Sequence, residues 1–307
     1  MHRRLSLTLA ILAALLLGGC AGGQGPVESD GYAIDDRHPS SAHSSRVRFI
    51  VLHYTDENEA TSLEILSGPR VSAHYLVPQR PDRALGAPRI YRLVDESRRA
   101  WHAGTSAWAG RTHLNDSSLG IELVNAGPNR LPDASPGEGP VTWAPFPEAQ
   151  IEALIALLRD LITRHDISPT GVLSHAEIAP TRKIDPGPAF PWQRLYAAGI
   201  GTWPADADIA RFRRAFAEAP PPLDMLQRAL AAWGFAVSAN GELDDATRGA
   251  LRAFQMRYRP DDYRGRPDTE TAARLWALLT RYRPEALSDS GLDSPASKPG
   301  ATPEPRG

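Results

Sequence analysis

Short apolar runs rich in β-branched residues alternate with longer amphipathic stretches over the first two thirds of the chain. Residues 47–52, 74–77, 90–94, 119–124 and 172–173 have the length and composition of buried strands. Between the last two lies the clearest helical pattern, Glu148 to His165. There Ile151, Leu154, Ile155, Leu158, Leu161 and Ile162 recur at three- and four-residue steps and make one apolar face. Pro147 suits the entry to a first turn, and His165 suits the carbonyl end of the dipole. Strands mixed with helices in this way predict an α/β domain with a central mixed β-sheet flanked by helices. Residues 127–147, dense in Gly and Pro, read as a long loop inside that domain.

The pattern changes after Ala219-Pro220-Pro221-Pro222, because proline stops a helix and stiffens a linker. Three amphipathic stretches follow. The first carries Leu223, Leu226, Leu230 and Trp233 and stops at Gly234. The second starts at Asp244 or Asp245 and carries Ala250, Leu251 and Phe254. The third is capped by Asp268 and carries Leu275, Trp276 and Leu279. The expected organisation is a signal segment at 1–20, a flexible tether at 21–45 and a catalytic domain at 46–203. A connecting helix and Pro-rich linker at 204–222, a small three-helix module at 223–284 and a disordered tail at 285–307 complete it.

Composition narrows the chemistry. At 307 residues the chain has room for about two domains of roughly 150 residues each. A formal net charge of -2 gives no electrostatic reason to bind nucleic acid. The single cysteine, Cys20, excludes an intrachain disulfide framework and a thiolate metal site in the folded body, so any metal must be held by His, Asp or Glu. Basic residues Arg3 and Arg4 precede an apolar run at 5–17, which is shorter than the ~20 residues of a membrane-spanning helix and fits the apolar region of a signal peptide. The run ends in Leu17-Gly18-Gly19-Cys20, which resembles the lipobox of bacterial lipoproteins and implies a lipid anchor on Cys20. Ala21, rather than an aspartate, follows the cysteine, so the expected location is the outer membrane, facing the periplasm.

None of the nine histidines lies beyond His175, which confines proton-transfer and metal chemistry to the first domain. His53 stands at the end of the first strand, and His175 follows the last one, with Asp185 ten residues on. Ends of strands point into the crevice where α/β proteins place their sites. Two imidazoles and a carboxylate make a three-ligand catalytic zinc set, with a fourth position for water. Spacing alone is equally compatible with hydrogen-bonded, half-buried histidines. Likewise, Glu122 between Ile121 and Leu123 alternates as any strand carboxylate would.

Six motifs in order are more specific. His53-Tyr54-Thr55, Ser72-Ala73-His74-Tyr75, Ala100-Trp101-His102-Ala103-Gly104, Gly120-Ile121-Glu122-Leu123, Ser174-His175-Ala176-Glu177 and Lys183-x-Asp185-Pro186-Gly187-Pro188 resemble the type-2 (AmpD-like) N-acetylmuramoyl-L-alanine amidases, relatives of the peptidoglycan-recognition proteins and phage T7 lysozyme. The resemblance implies Zn2+ held by His53, His175 and Asp185, a catalytic Glu122, and Lys183 supporting the oxyanion. It implies peptidoglycan and muropeptides as substrates and hydrolysis of the amide between the lactyl group of N-acetylmuramic acid and L-alanine. His74 falls outside the metal set and suits a structural or supporting hydrogen-bond role. His102 and Trp101 suit the substrate groove, Trp101 suiting a packed core equally well. His113 and His165 read as solvated or capping residues.

Leu226-Gln227, Gly234, Gly241, Asp244, Thr247 and Phe254-Gln255 resemble the peptidoglycan-binding domain 1 repeat, which implies a second contact with the same polymer. Two other readings stand beside the enzyme. Relatives of this fold recognise peptidoglycan without cutting it, and a lipoprotein can bridge wall and membrane. Presence of Glu122 and all three ligands separates the first from an amidase, and metal content separates the second.

Overall fold

A computed structural model describes residues 27–129, 142–289 and 292. Residues 27–44 stand apart from the unit that begins at Ser45, and in them Val27–Ser29 pairs antiparallel with Tyr32–Ile34. Part of the stretch expected as a flexible tether is therefore paired as a small hairpin. Cys20 and the whole apolar run at 5–17 lie outside the described residues. No helix among the described residues is long and apolar enough to cross a membrane.

The second unit, from Ser45 onward, contains a five-stranded sheet. Its strands are β1 (Phe49–Tyr54), β2 (Tyr75–Val77), β3 (Tyr91–Arg92), β4 (Ser118–Leu123) and β5 (Val172–Ser174), in spatial order β5-β1-β4-β2-β3. All neighbours are parallel except β2 and β3, so the sheet is mixed. Five strands thus lie within a few residues of the apolar runs that predict them. The helices are α1 (Glu59–Leu66), α2 (Glu148–His165), α3 (His175–Ile178), α4 (Trp192–Ala197), α5 (Asp206–Glu218), α6 (Leu223–Trp233), α7 (Asp245–Tyr258), α8 (Thr269–Tyr282) and α9 (Pro284–Asp289).

Side-chain alternation splits the sheet into two functional faces. Ile50 and Leu52 of β1 join Leu119, Ile121 and Leu123 of β4 and the apolar stripe of α2 in one core. The opposite face carries Val51 and His53 from β1 and, in register beside them, Gly120 and Glu122 from β4. One parallel pairing thus sets the His53 imidazole and the Glu122 carboxyl on neighbouring strands and on one side. His74 buttresses the same pair. Its Nδ1 accepts from the Gly120 N–H at 3.0 Å, and its Nε2 donates to the Arg98 carbonyl at 3.2 Å, the structural role expected of it. His165 lies in the last turn of α2, at the carbonyl end as expected, but it is not solvated: its Nε2 bonds Glu96, which also receives Arg164 and Tyr75.

The C-terminal helices are built by two matching devices. In α6 the buried Gln227 donates to Asn240, the Glu242 carbonyl and Thr247, and accepts from the Gly241 N–H. In α7 the buried Gln255 donates to the Arg266 carbonyl and Thr271 and accepts from the Gly265 N–H. Each glutamine ties down the loop leading into the next helix, whose first turn is capped by Asp244 or Asp268.

Two features differ from the expected domain plan. Helix α5, expected as a connector, lies along α8, and its Ile209, Phe212 and Phe216 share the module's core. Val51, Leu173, Ala176 and Ile178 of the first domain belong to that core too, so the prolines at 220–222 bridge helices within one packed body rather than separating two. The module also extends past 284. Leu287 and Leu292 are buried, and the Leu292 carbonyl accepts from Trp276 Nε1 at 3.3 Å, so the expected tail begins with an ordered closing turn.

Candidate active site

His53 is the penultimate residue of β1, and His175 opens α3 immediately after β5. The position of His175 is fixed by a capping box. Ser174 Oγ accepts from the Glu177 N–H, and Glu177 Oε2 accepts from the Ser174 N–H at 2.8 Å. Asp185 is drawn to the same place by its carbonyl, which accepts from the Ala176 N–H at 3.0 Å. The result is a buried cluster. His53 Nδ1 lies 2.9 Å from His175 Nδ1 and 3.1 Å from Asp185 Oδ2, and His175 Nδ1 lies 3.0 Å from the same oxygen.

Hydrogen bonding behind the cluster determines what those three atoms are. Ser118 Oγ–H donates to the Leu114 carbonyl at 2.6 Å, so it accepts from His102 Nε2–H at 3.2 Å. His102 Nδ1 is then an acceptor and receives a hydrogen bond from His53 Nε2–H at 3.1 Å. His175 Nε2 donates in turn to the Ala103 carbonyl at 3.2 Å. Both ligand imidazoles therefore carry their proton on Nε2 and turn a bare Nδ1 lone pair inward. Burial, with the neighbouring His175, pushes the His53 pKa down to about 4, which keeps that ring neutral at pH 7. Burial opposes ionisation of Asp185; positive charge on the imidazole side, at His175 first and then His53, holds its carboxyl well below the usual carboxylate range, and with both rings neutral that charge has to come from a bound cation. Three acceptors converge with no donor among them, an arrangement that a cation satisfies. A tetrahedral ion bonded at about 2 Å needs its ligand atoms roughly 3.3 Å apart, within a few tenths of an ångström of the spacing here.

Beside the cluster opens a cleft of about 370 Å³ lined by His53, Glu122, His175, Lys183 and Asp185, with Trp101 at its rim. Glu122 Oε2 is shielded from solvent and has no hydrogen-bond partner among the described residues. Desolvation, reinforced by the Asp185 charge and partly offset by Lys183, raises the Glu122 pKa well above the ordinary carboxyl value. A carboxyl of raised pKa with an unused oxygen, facing a metal-shaped cluster, is equipped to take and return a proton.

All five residues expected from the motifs meet here. The two expected groove residues divide. Trp101 is 53% exposed, so it is a wall of the cleft and not a core residue. His102 touches the cleft, but both ring nitrogens are committed, so it orients His53 instead of holding substrate. Its ring occupies the space that Gly120 leaves open, since a Cβ there would fall 2.3 Å from His102 Cγ. The glycine in Gly120-Ile121-Glu122 was a usable signal for that close approach. Arg182 was also missed. It lines the cleft and donates to the Ala103 and Thr105 carbonyls.

The fold and this site, a proton-transferring carboxyl beside three residues that could hold a metal ion, are those of a hydrolytic enzyme, and comparison with known proteins gives the family. Residues 43–188 match the family model described as N-acetylmuramoyl-L-alanine amidase, and residues 221–275 match that described as "Putative peptidoglycan binding domain". The chain belongs to the N-acetylmuramoyl-L-alanine amidase family. It is 46% identical to N-acetylmuramoyl-L-alanine amidase AmiD of Escherichia coli K12 over 274 residues, covering 89% of this chain and 96% of the relative. The solved complex of E. coli AmiD with its substrate anhydro-N-acetylmuramic acid-L-Ala-D-gamma-Glu-L-Lys superposes with a TM-score of 0.75 at 44% identity, covering 84% of this chain and 98% of that one. AmpDh3 of Pseudomonas aeruginosa superposes with a TM-score of 0.71 at 40% identity, covering 83% and 98%.

Proposed function

We propose that this amidase is a zinc enzyme that hydrolyses the amide between the lactyl group of N-acetylmuramic acid and the L-alanine of peptidoglycan stem peptides. The observation that carries the zinc assignment is the convergence of His53 Nδ1, His175 Nδ1 and Asp185 Oδ2 as three acceptors without a proton between them. Likeness to AmiD, whose structure holds a muropeptide, supports the substrate. When bound, zinc supplies Lewis acidity, polarising a carbonyl and lowering the pKa of water to about 7.

The rest is done by the chain. His53, His175 and Asp185 hold the ion, and His102 and the Ala103 carbonyl fix the two imidazole tautomers. Glu122 takes the proton from the attacking water and delivers it to the leaving nitrogen of L-alanine, the same Oε2 serving as base and then as acid. Lys183, lining the same cleft, stabilises the negative charge that develops on the carbonyl oxygen. Trp101 offers an exposed aromatic wall for the substrate at the rim. The C-terminal module supplies a second hold on the polymer and so raises the local concentration of cleavable bonds. A lipid on Cys20 would keep the enzyme on the outer membrane, facing the periplasm. The lipobox-like run 17–20 supports that placement.

The test is direct. Soluble protein lacking residues 1–20 is incubated with defined muropeptides, and products are identified by mass. Free stem peptide and the intact sugar are expected, and a chelator should abolish both until zinc is restored. Cleavage at another bond, or full activity in chelator, overturns the reading.

A further inference from the structure

The C-terminal module does more than sit beside the catalytic domain. Helix α7 lies against the segments that carry two of the three metal ligands. Gly249 packs so closely on 180–181 that a Cβ there would meet the Pro180 carbonyl oxygen at 2.7 Å, and Arg252 donates to that carbonyl at 3.2 Å. One turn further on, Arg257 leaves the module altogether and enters the catalytic domain. It is 3% exposed. Its Nη1 donates to the Val172 carbonyl at 2.9 Å and to Glu177 Oε2 at 2.9 Å, and its Nη2 donates to Thr202 Oγ1 at 3.3 Å. Its guanidinium lies 4.0 Å above the Trp192 ring.

Those partners bracket His175. Val172 begins the strand that leads into it, and Glu177 Oε2 is the oxygen that also receives the Ser174 N–H and hydroxyl. Without a cation, that carboxylate would be buried at 1% exposure with its charge unpaired. We propose that Arg257 is a positioning residue for the metal centre. From the module it clamps the β5–α3 turn at Val172 and Glu177, and so fixes the angle at which His175 presents Nδ1. The module is then a working part of the catalytic site and not only a wall-binding attachment. This rests on the zinc reading above.

The test compares zinc affinity, by competition with a chromophoric chelator, and kcat and KM on a muropeptide. The full soluble chain is used, in wild type, Arg257→Met, Arg257→Lys and Tyr258→Phe. Supporting hydrogen bonds around metal ligands are typically worth 10–100-fold in affinity. Arg257→Met should therefore bind zinc about 10–100-fold more weakly and lose kcat with KM little changed. Arg257→Lys keeps the charge but not the planar fork, whose Nη1 serves Val172 and Glu177 while Nη2 reaches Thr202, so it should fall in between; it gives the same comparison should the methionine variant not fold. Tyr258→Phe removes the neighbouring 2.7 Å contact with Thr202 across the same interface. It should weaken packing but leave zinc affinity and kcat at wild-type values. Wild-type zinc affinity in the Arg257 variants, or equal weakening in Tyr258→Phe, overturns the clamp. A wild-type protein that holds no zinc overturns the metal site itself.

Discussion

Glu122→Gln is expected to fold, to keep its metal and to lose about 10²–10⁴-fold in kcat, the usual worth of a positioned proton-transfer group. The amide keeps the size and polarity of the carboxyl but has no proton to take or give at the orphaned Oε2 position. The same substitution should act in the opposite sense on stability once zinc is stripped. The fold raises the Glu122 pKa, so the native state holds that proton more tightly than the unfolded chain does. Stability of the metal-free protein then falls as pH rises from the unfolded value of about 4.3 toward the raised native one. Metal-free Glu122→Gln escapes that loss and should melt above metal-free wild type at pH 7. Turnover within threefold of wild type in the zinc-loaded variant removes Glu122 from the reaction.

His175→Ala should be more damaging still, because it takes away the ion and the turnover together. The substitution deletes one of three inward lone pairs and leaves Asp185 beside His53 alone. It also deletes one of the two donors to the Ala103 carbonyl, Arg182 being the other. Zinc by elemental analysis should drop from one per chain to a small fraction, and product formation should fall below that of Glu122→Gln. Stoichiometric zinc retained in this variant would place the ion elsewhere. Neutral His53 and ionised Asp185 would then lack an explanation for their facing arrangement.

What could be read from the chain follows from how local each feature is. The six-residue recurrence in α2 appears in the structure over Glu148–His165, since periodic burial against one sheet face is written in consecutive residues. Strand ends placed His53 and His175, and the Gly-Ile-Glu-Leu motif placed Glu122. Helix α1 was not legible, because only Ser62 and Leu66 are buried in it and it lacks an apolar stripe. The work of His102 was hidden for a different reason. Its role depends on a ring lying over Gly120 and reaching Ser118 and His53, a meeting of three chain segments that no local pattern encodes. Arg257 was hidden most thoroughly. In a helix of a module with no histidine, it reads as one more solvated cation, and only the packing of α7 under α3 sends it into the interior.

The shared core has a bearing on how relatives of the domain are compared. Val51 and Ala176 belong to one core with module residues, so the catalytic domain of this chain would expose apolar surface if cut at the proline stretch. The prolines set the path between α5 and α6 without making the two halves independent.

The most direct measurement is anomalous diffraction at the zinc edge from crystals of the purified protein. A single peak within bonding distance of His53 Nδ1, His175 Nδ1 and the Asp185 carboxylate is the expected result. An empty position there in protein supplied with equimolar zinc, or an ion held by other side chains, would contradict the assignment.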